Sequence, residues 1–208
     1  MYLIFDFDGT LVDSFGSVIE KFNLLANDFN FRKIHVEEID ELRNLSSREL
    51  IKYLKIPIYK IPTVLHRARK YLQEDMHKLV PFAGIPKALH DLSDAGFSLG
   101  IVTSNSEENV VSWLKYNGIM QHFNFTHVES SYLGKKRVLK KAMKINKIEK
   151  AFYIGDETRD IEAAKQCNMF SIAVTWGFNS EKILSQYHPN YIARAPEDLL
   201  KIGLKHLE

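Results

Sequence analysis

Asp6 and Asp8 stand one residue apart where an apolar run, Leu3, Ile4 and Phe5, gives way to Gly9 and Thr10. Two carboxylates this close repel each other when both are ionised. A divalent cation between them removes the conflict, leaving one free to attack an electrophile while the other holds or releases a proton. Further acids follow a second apolar run: Asp156 lies behind Gly155 in YIGDETRD, residues 153–160, with Glu157 beside it and Asp160 four residues on. Three or four carboxylates in one place are strongly unfavourable without a cation, so together they imply a hard metal with oxygen ligands, Mg2+ being the expected ion. A third run ends in IVTSNS, residues 101–106, where Thr103 offers a hydroxyl and Ser104 and Asn105 offer amides ahead of a helix start that attracts anions. The plainer reading of the same residues is turn and helix capping, with aspartates near turns and Ser106 as an N-cap before Glu107 and Glu108.

Such groups meet only if the apolar runs are strands of one sheet. Residues 97–102, 123–128, 151–154 and 170–174 read as buried strands like the first, separated by amphipathic helical patterns at 85–95, 106–116, 138–145 and 161–167. Alternation of this kind predicts an α/β fold, a doubly wound parallel sheet of Rossmann-like type with ligands at the carboxyl ends of its strands. Residues 15–81 interrupt it with helical patterns alone. Val18, Ile19, Phe22, Leu25, Ala26 and Phe29 share one stripe; Ser46 and Glu49 make a capping box before a helix that Pro57 ends; Pro62 opens another helix carrying Val64, Leu65, Ala68 and Leu72. The expected organisation is a core domain of residues 1–14 and 82–208 with a helical cap inserted at 15–81, Pro81 and Gly84 marking the hinge.

The run DFDGTLVDS, residues 6–14, resembles the first motif of the haloacid dehalogenase-like (HAD) phosphohydrolases. TSN at 103–105, GKKRVLKK at 134–141 and GDETRD at 155–160 resemble that family's later motifs in the same order. The resemblance implies that Asp6 is the nucleophile, Asp8 the general acid/base, and Thr103 a phosphate ligand helped by the amides of Ser104 and Asn105. It also implies a lysine that steadies the nucleophile and the transferring phosphoryl, and Mg2+ held by Asp6, the backbone carbonyl of Asp8, and Asp156. Lys135 is preferred to Lys136 for that lysine, because adjacent helical residues do not face the same crevice. Glu157 and Asp160 are secondary candidates, Asp160 either as a ligand or as a group that positions Lys135 or a metal-bound water. Arg48, beside Ser46 and Ser47 at a cap helix start, reads equally as a substrate contact on closure or a surface charge. TWGFNS at 175–180 is similar to a loop of phosphoglycolate phosphatase-like members, with Trp176 read as packing.

The implied activity is Mg2+-dependent hydrolysis of a small phosphate monoester, phosphoglycolate-like or a sugar phosphate, through an aspartyl-phosphate. The alternatives are a sugar-phosphate mutase of the same fold and a catalytically silent binding module, the latter opposed by the intact set Asp6, Asp8, Thr103, Lys135 and Asp156. A dehalogenase has no use for Asp8 and a metal site, and no cap lysine is marked out for the imine of a phosphonate hydrolase. Composition agrees with an ordinary globular chain, with 208 residues of which 45% are hydrophobic, 28 Lys and Arg against 26 Asp and Glu. The formal charge of +2 gives no ground for a nucleic-acid partner, and the basic run at 134–144 lacks interleaved aromatics. No run approaches the ~18 apolar residues of a membrane span, and the first strand starts too near Met1 for a signal peptide, so a cytoplasmic protein is expected. Cys167, the single cysteine, excludes an internal disulfide and reads as a small buried hydrophobe.

Overall fold

Leu3, Ile4 and Phe5 are fully buried because the strand they form, β1 (Tyr2–Phe5), takes the middle of a parallel sheet covered on both faces. The computed structural model describes residues 1–129 and 134–206. The remaining strands are β2 (Ser98–Thr103), β3 (Phe123–Val128), β4 (Ala151–Gly155), β5 (Phe170–Val174) and β6 (Tyr191–Ala193), in the spatial order β3-β2-β1-β4-β5-β6. Register brings Phe5 opposite Ile101 on one side and Ile154 on the other. The carboxyl ends of β1, β2 and β4 therefore share one edge, where the strand order reverses and a crevice opens.

Around the sheet lie α5 (Ile85–Asp94), α6 (Glu107–Tyr116), α7 (Lys135–Ile145), α8 (Thr158–Gln166), α9 (Glu181–Gln186) and α10 (Asp198–Leu204). Alternation along β1 divides the core into two apolar layers. Leu3 and Phe5 pack with Leu89, Trp113 and Leu199 on one face, whereas Ile4 packs with Val138, Tyr153, Ala164 and the buried Cys167 on the other.

Residues 15–81 contain helices α1 (Phe15–Phe29), α2 (Ile39–Leu42), α3 (Ser47–Tyr53) and α4 (Ile61–Asp75) and a cluster of their own around Leu25, Leu54, Ile56, Val64 and Ala68. The two ends of this segment run side by side: Asp13 N–H bonds to the Val80 carbonyl at 3.0 Å and Phe82 N–H to that of Leu11 at 3.1 Å. Ser46 caps α3 in the reciprocal capping box with Glu49.

Some boundaries depart from the sequence reading. Helix α3 stops at Tyr53, ahead of Pro57, because Lys55 already takes a left-handed conformation (φ 55°). Helices α7 and α8 start earlier than their apolar stripes, at Lys135 and Thr158, since a helix's first turn needs no buried face. β6, α9 and α10 carry too few residues to impose a period. Among the described residues no helix is long and apolar enough to cross a membrane.

Candidate active site

Asp6 follows the last residue of β1, and its N–H still bonds the Ile154 carbonyl at 2.8 Å, so its side chain is fixed at the strand edge. Asp156 follows Gly155 at the end of β4, and Asp160 lies in the first turn of α8. Carboxylate oxygens of these three buried residues lie within 4.8 Å of one another. From the start of α7 the Lys135 ammonium reaches Asp6 Oδ2 at 2.5 Å and also bonds Asp160 Oδ1, while Lys136 is exposed. Burial pulls the Lys135 pKa down, but Asp160 and Asp6 outweigh it and hold the ammonium above its ordinary value.

Asp156 has neutral partners, the Thr10 hydroxyl at 2.9 Å and the Phe178 N–H at 2.7 Å. Burial, then the charges of Glu157, Asp160 and Asp6, push its carboxyl well above the usual range. Asp160 is pushed up to about 6, mainly by burial and against the pull of Lys135. Three buried carboxylates facing one ammonium fit a divalent cation, with Asp6, Asp156 and Asp160 as the oxygen donors. Backbone encloses the cluster closely. Gly9 has φ +73°, and a Cβ there would stand 2.2 Å from Asp156 Oδ2; a Cβ on Gly177 would stand 2.3 Å from the Gly9 carbonyl.

Asp8 is half-buried beside this cluster. Its Oδ2 accepts from the Asn105 side-chain NH2 at 2.8 Å, and its buried Oδ1 has no hydrogen-bond partner. Burial, then the nearby Asp6 charge, push its pKa to about 6, against the Asn105 bond. The Asn105 side-chain oxygen is occupied by Ser106 N–H at 2.7 Å and Asn109 Nδ2 at 2.9 Å, which settles which end of the amide meets Asp8. The Asn105 N–H donates to the Thr103 hydroxyl at 3.2 Å, so this amide serves the turn rather than pointing to a ligand as the sequence suggests. Thr103, Ser104 and Lys135 line one cavity of about 510 Å³ together with Arg48, Arg69 and Arg159. Arg48 is exposed at it.

Glu157 stands apart from the other acids. Its carboxylate accepts from Ser47 Oγ of α3 at 2.5 Å and from Arg159. Burial pulls its pKa up, but Arg159 and Ser47 outweigh this and hold it below the ordinary value. Trp176 packs against Phe82, and its N–H bonds the Thr10 carbonyl at 3.0 Å. Sequence reading passes over Thr10, Arg43, Asn109 and the Phe178 N–H as members of the site. Thr10 alone has a local signal, its place directly behind Asp8 and Gly9.

Residues 3–174 match the family described as haloacid dehalogenase-like hydrolase. A phosphoglycolate phosphatase of Synechococcus elongatus is 34% identical over 201 residues, spanning 96% of this chain and 95% of the relative. A pyrophosphatase PpaX of Bacillus mycoides is 24% identical over 206 residues, spanning 96% and 95%. Among solved structures, a predicted phosphatase from Clostridium acetobutylicum has a TM-score of 0.84 at 26% identity, with 98% of each chain covered. The match takes in the strands that carry Asp6, Thr103 and Asp156 as well as the helical segment between them, and the chain belongs to the haloacid dehalogenase-like hydrolase family.

Proposed function

We propose that this phosphoric monoester hydrolase cleaves a small phosphate monoester through an aspartyl-phosphate on Asp6, with Mg2+ as cofactor. The observation that carries the reading is the set of buried carboxylates Asp6, Asp156 and Asp160 paired with Lys135, beside an Asp8 carboxyl whose Oδ1 has no hydrogen-bond partner. Asp6, Asp156 and Asp160 would hold the cation, which when bound supplies positive charge against which the phosphoryl oxygens are stabilised.

Lys135, bonded to one oxygen of Asp6, fixes the rotation of that carboxylate and leaves the other oxygen to attack phosphorus in line. As the ester oxygen departs, Asp8 gives it a proton; Asp8, now a carboxylate, then takes a proton from the water that attacks the aspartyl-phosphate, releasing phosphate and restoring Asp6. The Thr103 hydroxyl, the Ser104 amide and the Lys135 charge bind the phosphoryl oxygens. Asn105 keeps Asp8 turned toward the reacting atoms.

Residues 15–81 act as a cap domain that closes over the substrate and excludes water. Arg48, exposed at the cavity, suits a second anionic group on the substrate, such as the carboxylate of phosphoglycolate.

The test is phosphate release from small esters, phosphoglycolate and hexose phosphates among them, with and without Mg2+, for wild type and Asp6→Asn. Metal-dependent release that falls on the order of 10⁴-fold in the variant is expected. No release from any ester in the presence of Mg2+ would overturn the proposal, and isomerised sugar phosphate in place of free phosphate would make the protein a mutase.

A further inference from the structure

We propose that Arg43 is a positioning residue for Asp156, clamping one peptide unit so that cation affinity is tied to docking of the helical segment on the core. The proposal rests on reading Asp156 as a cation ligand.

Arg43 directly follows α2, and its guanidinium Nη2 donates to the Gly177 carbonyl at 2.9 Å and its Nε to that of Phe178 at 3.3 Å. Gly177 C=O and Phe178 N–H are two ends of one planar peptide, and the N–H end donates to Asp156 Oδ2 at 2.7 Å. A planar unit held at both ends cannot turn at one end alone. Glycine on its N-terminal side would otherwise let it flip at little cost.

The rest of the loop is tied across the same gap. Ser180 N–H and Asn179 Nδ2 donate to the Arg43 carbonyl at 2.9 and 3.3 Å, and Asn179 Nδ2 also reaches the Leu45 carbonyl at 2.9 Å. Asn179 Oδ1 accepts from Thr158 N–H at 3.0 Å, and the Phe178 ring meets Phe15 of α1 edge-on at 5.3 Å. The segment comprising residues 15–81 thus touches the loop that orients Asp156. Its docking favours a carboxylate already turned toward its neighbours, and by linkage a bound cation favours docking by the same factor.

The experiment compares wild type, Arg43→Ala and Arg43→Lys by calorimetric titration with Mg2+ alone and by hydrogen exchange of the Phe178 amide in metal-free protein. Arg43→Ala should bind Mg2+ ~10-fold more weakly and exchange the Phe178 amide ~10-fold faster, with amides of β5 unchanged. Arg43→Lys, which reaches one carbonyl instead of two, should recover part of both. Wild-type exchange at Phe178 in a folded variant overturns the clamp, and faster exchange with unaltered Mg2+ affinity overturns the coupling. If Arg43→Ala does not fold, the same two readouts on Arg43→Lys decide. Wild-type protein that takes up no Mg2+ overturns the reading of the metal site instead, and the clamp is then judged by exchange alone.

Discussion

Asn105 presents its NH2 to Asp8 only because its carbonyl oxygen is already taken by Asn109 and by the Ser106 N–H. Truncating Asn109 removes half of that constraint. Asn109→Ala should lower kcat ~10-fold with KM within ~2-fold, as expected when a positioning contact to the reacting group is lost and substrate binding is kept; steady-state kinetics on the preferred ester would check it. Gly177→Ala drives a methyl group to 2.3 Å from a carbonyl and should cost on the order of 3 kcal/mol in urea unfolding. Gly16→Ala, with nothing within 4 Å, should stabilise α1 by ~0.5 to 1 kcal/mol instead. Asp6, Asp8, Thr103, Lys135 and Asp156 could be singled out as candidates in the sequence because each ends or follows a strand or opens a helix within a short run of distinctive residues. Thr10, Arg43 and Phe178 acquire their partners across great separations, 146 residues for Thr10 and Asp156, and no local pattern encodes that. Asn109 looks like the polar face of an exposed helix and is 2% exposed. Glu157 carries the opposite lesson: its sequence neighbours group it with the acids, but its carboxylate meets Ser47 and Arg159.

Between elements, the joint of α1 and α4 is electrostatic as well as apolar. Lys21 of α1 pairs with Asp75 at the end of α4, which also accepts from Lys78 at 2.7 Å. Hydrogen bonds from Lys21 and then Lys78 lower the Asp75 pKa from 3.8 to about 2. A carboxylate with a folded pKa below its unfolded one adds stability that is fully present above the unfolded value and fades as pH falls toward the folded value. Wild type should therefore lose stability between about pH 4 and pH 2 more steeply than Asp75→Asn, the two urea midpoints converging at the acid end. The elements with long stripes, α1, α4 and the alternating core, were readable because burial repeats along them. β6, at three residues, spans too little for repetition to register, and only its pairing with β5 defines it.

For the whole molecule, the proposed cation site, three buried carboxylates beside one ammonium, implies that Mg2+ binds the native state in preference to the unfolded chain. Mg2+ at 100 times its dissociation constant should add about 2.7 kcal/mol by mass action, seen as a raised melting temperature that chelator reverses and that Asp156→Asn does not show.

The place of β1 in the sheet also bears on how the chain is made. It leaves the ribosome well before the strands it pairs with, residues 98–101 and 151–154. At synthesis rates of ~5–20 residues per second, roughly 7–30 s separate the appearance of Asp6 from that of β4. For that interval Leu3, Ile4 and Phe5, fully buried in the finished sheet, lack one of the strands that cover them. Nascent chains stalled before residue 150 should thus be protease-sensitive around β1 and bound by ribosome-associated holdases, both ending once β4 emerges.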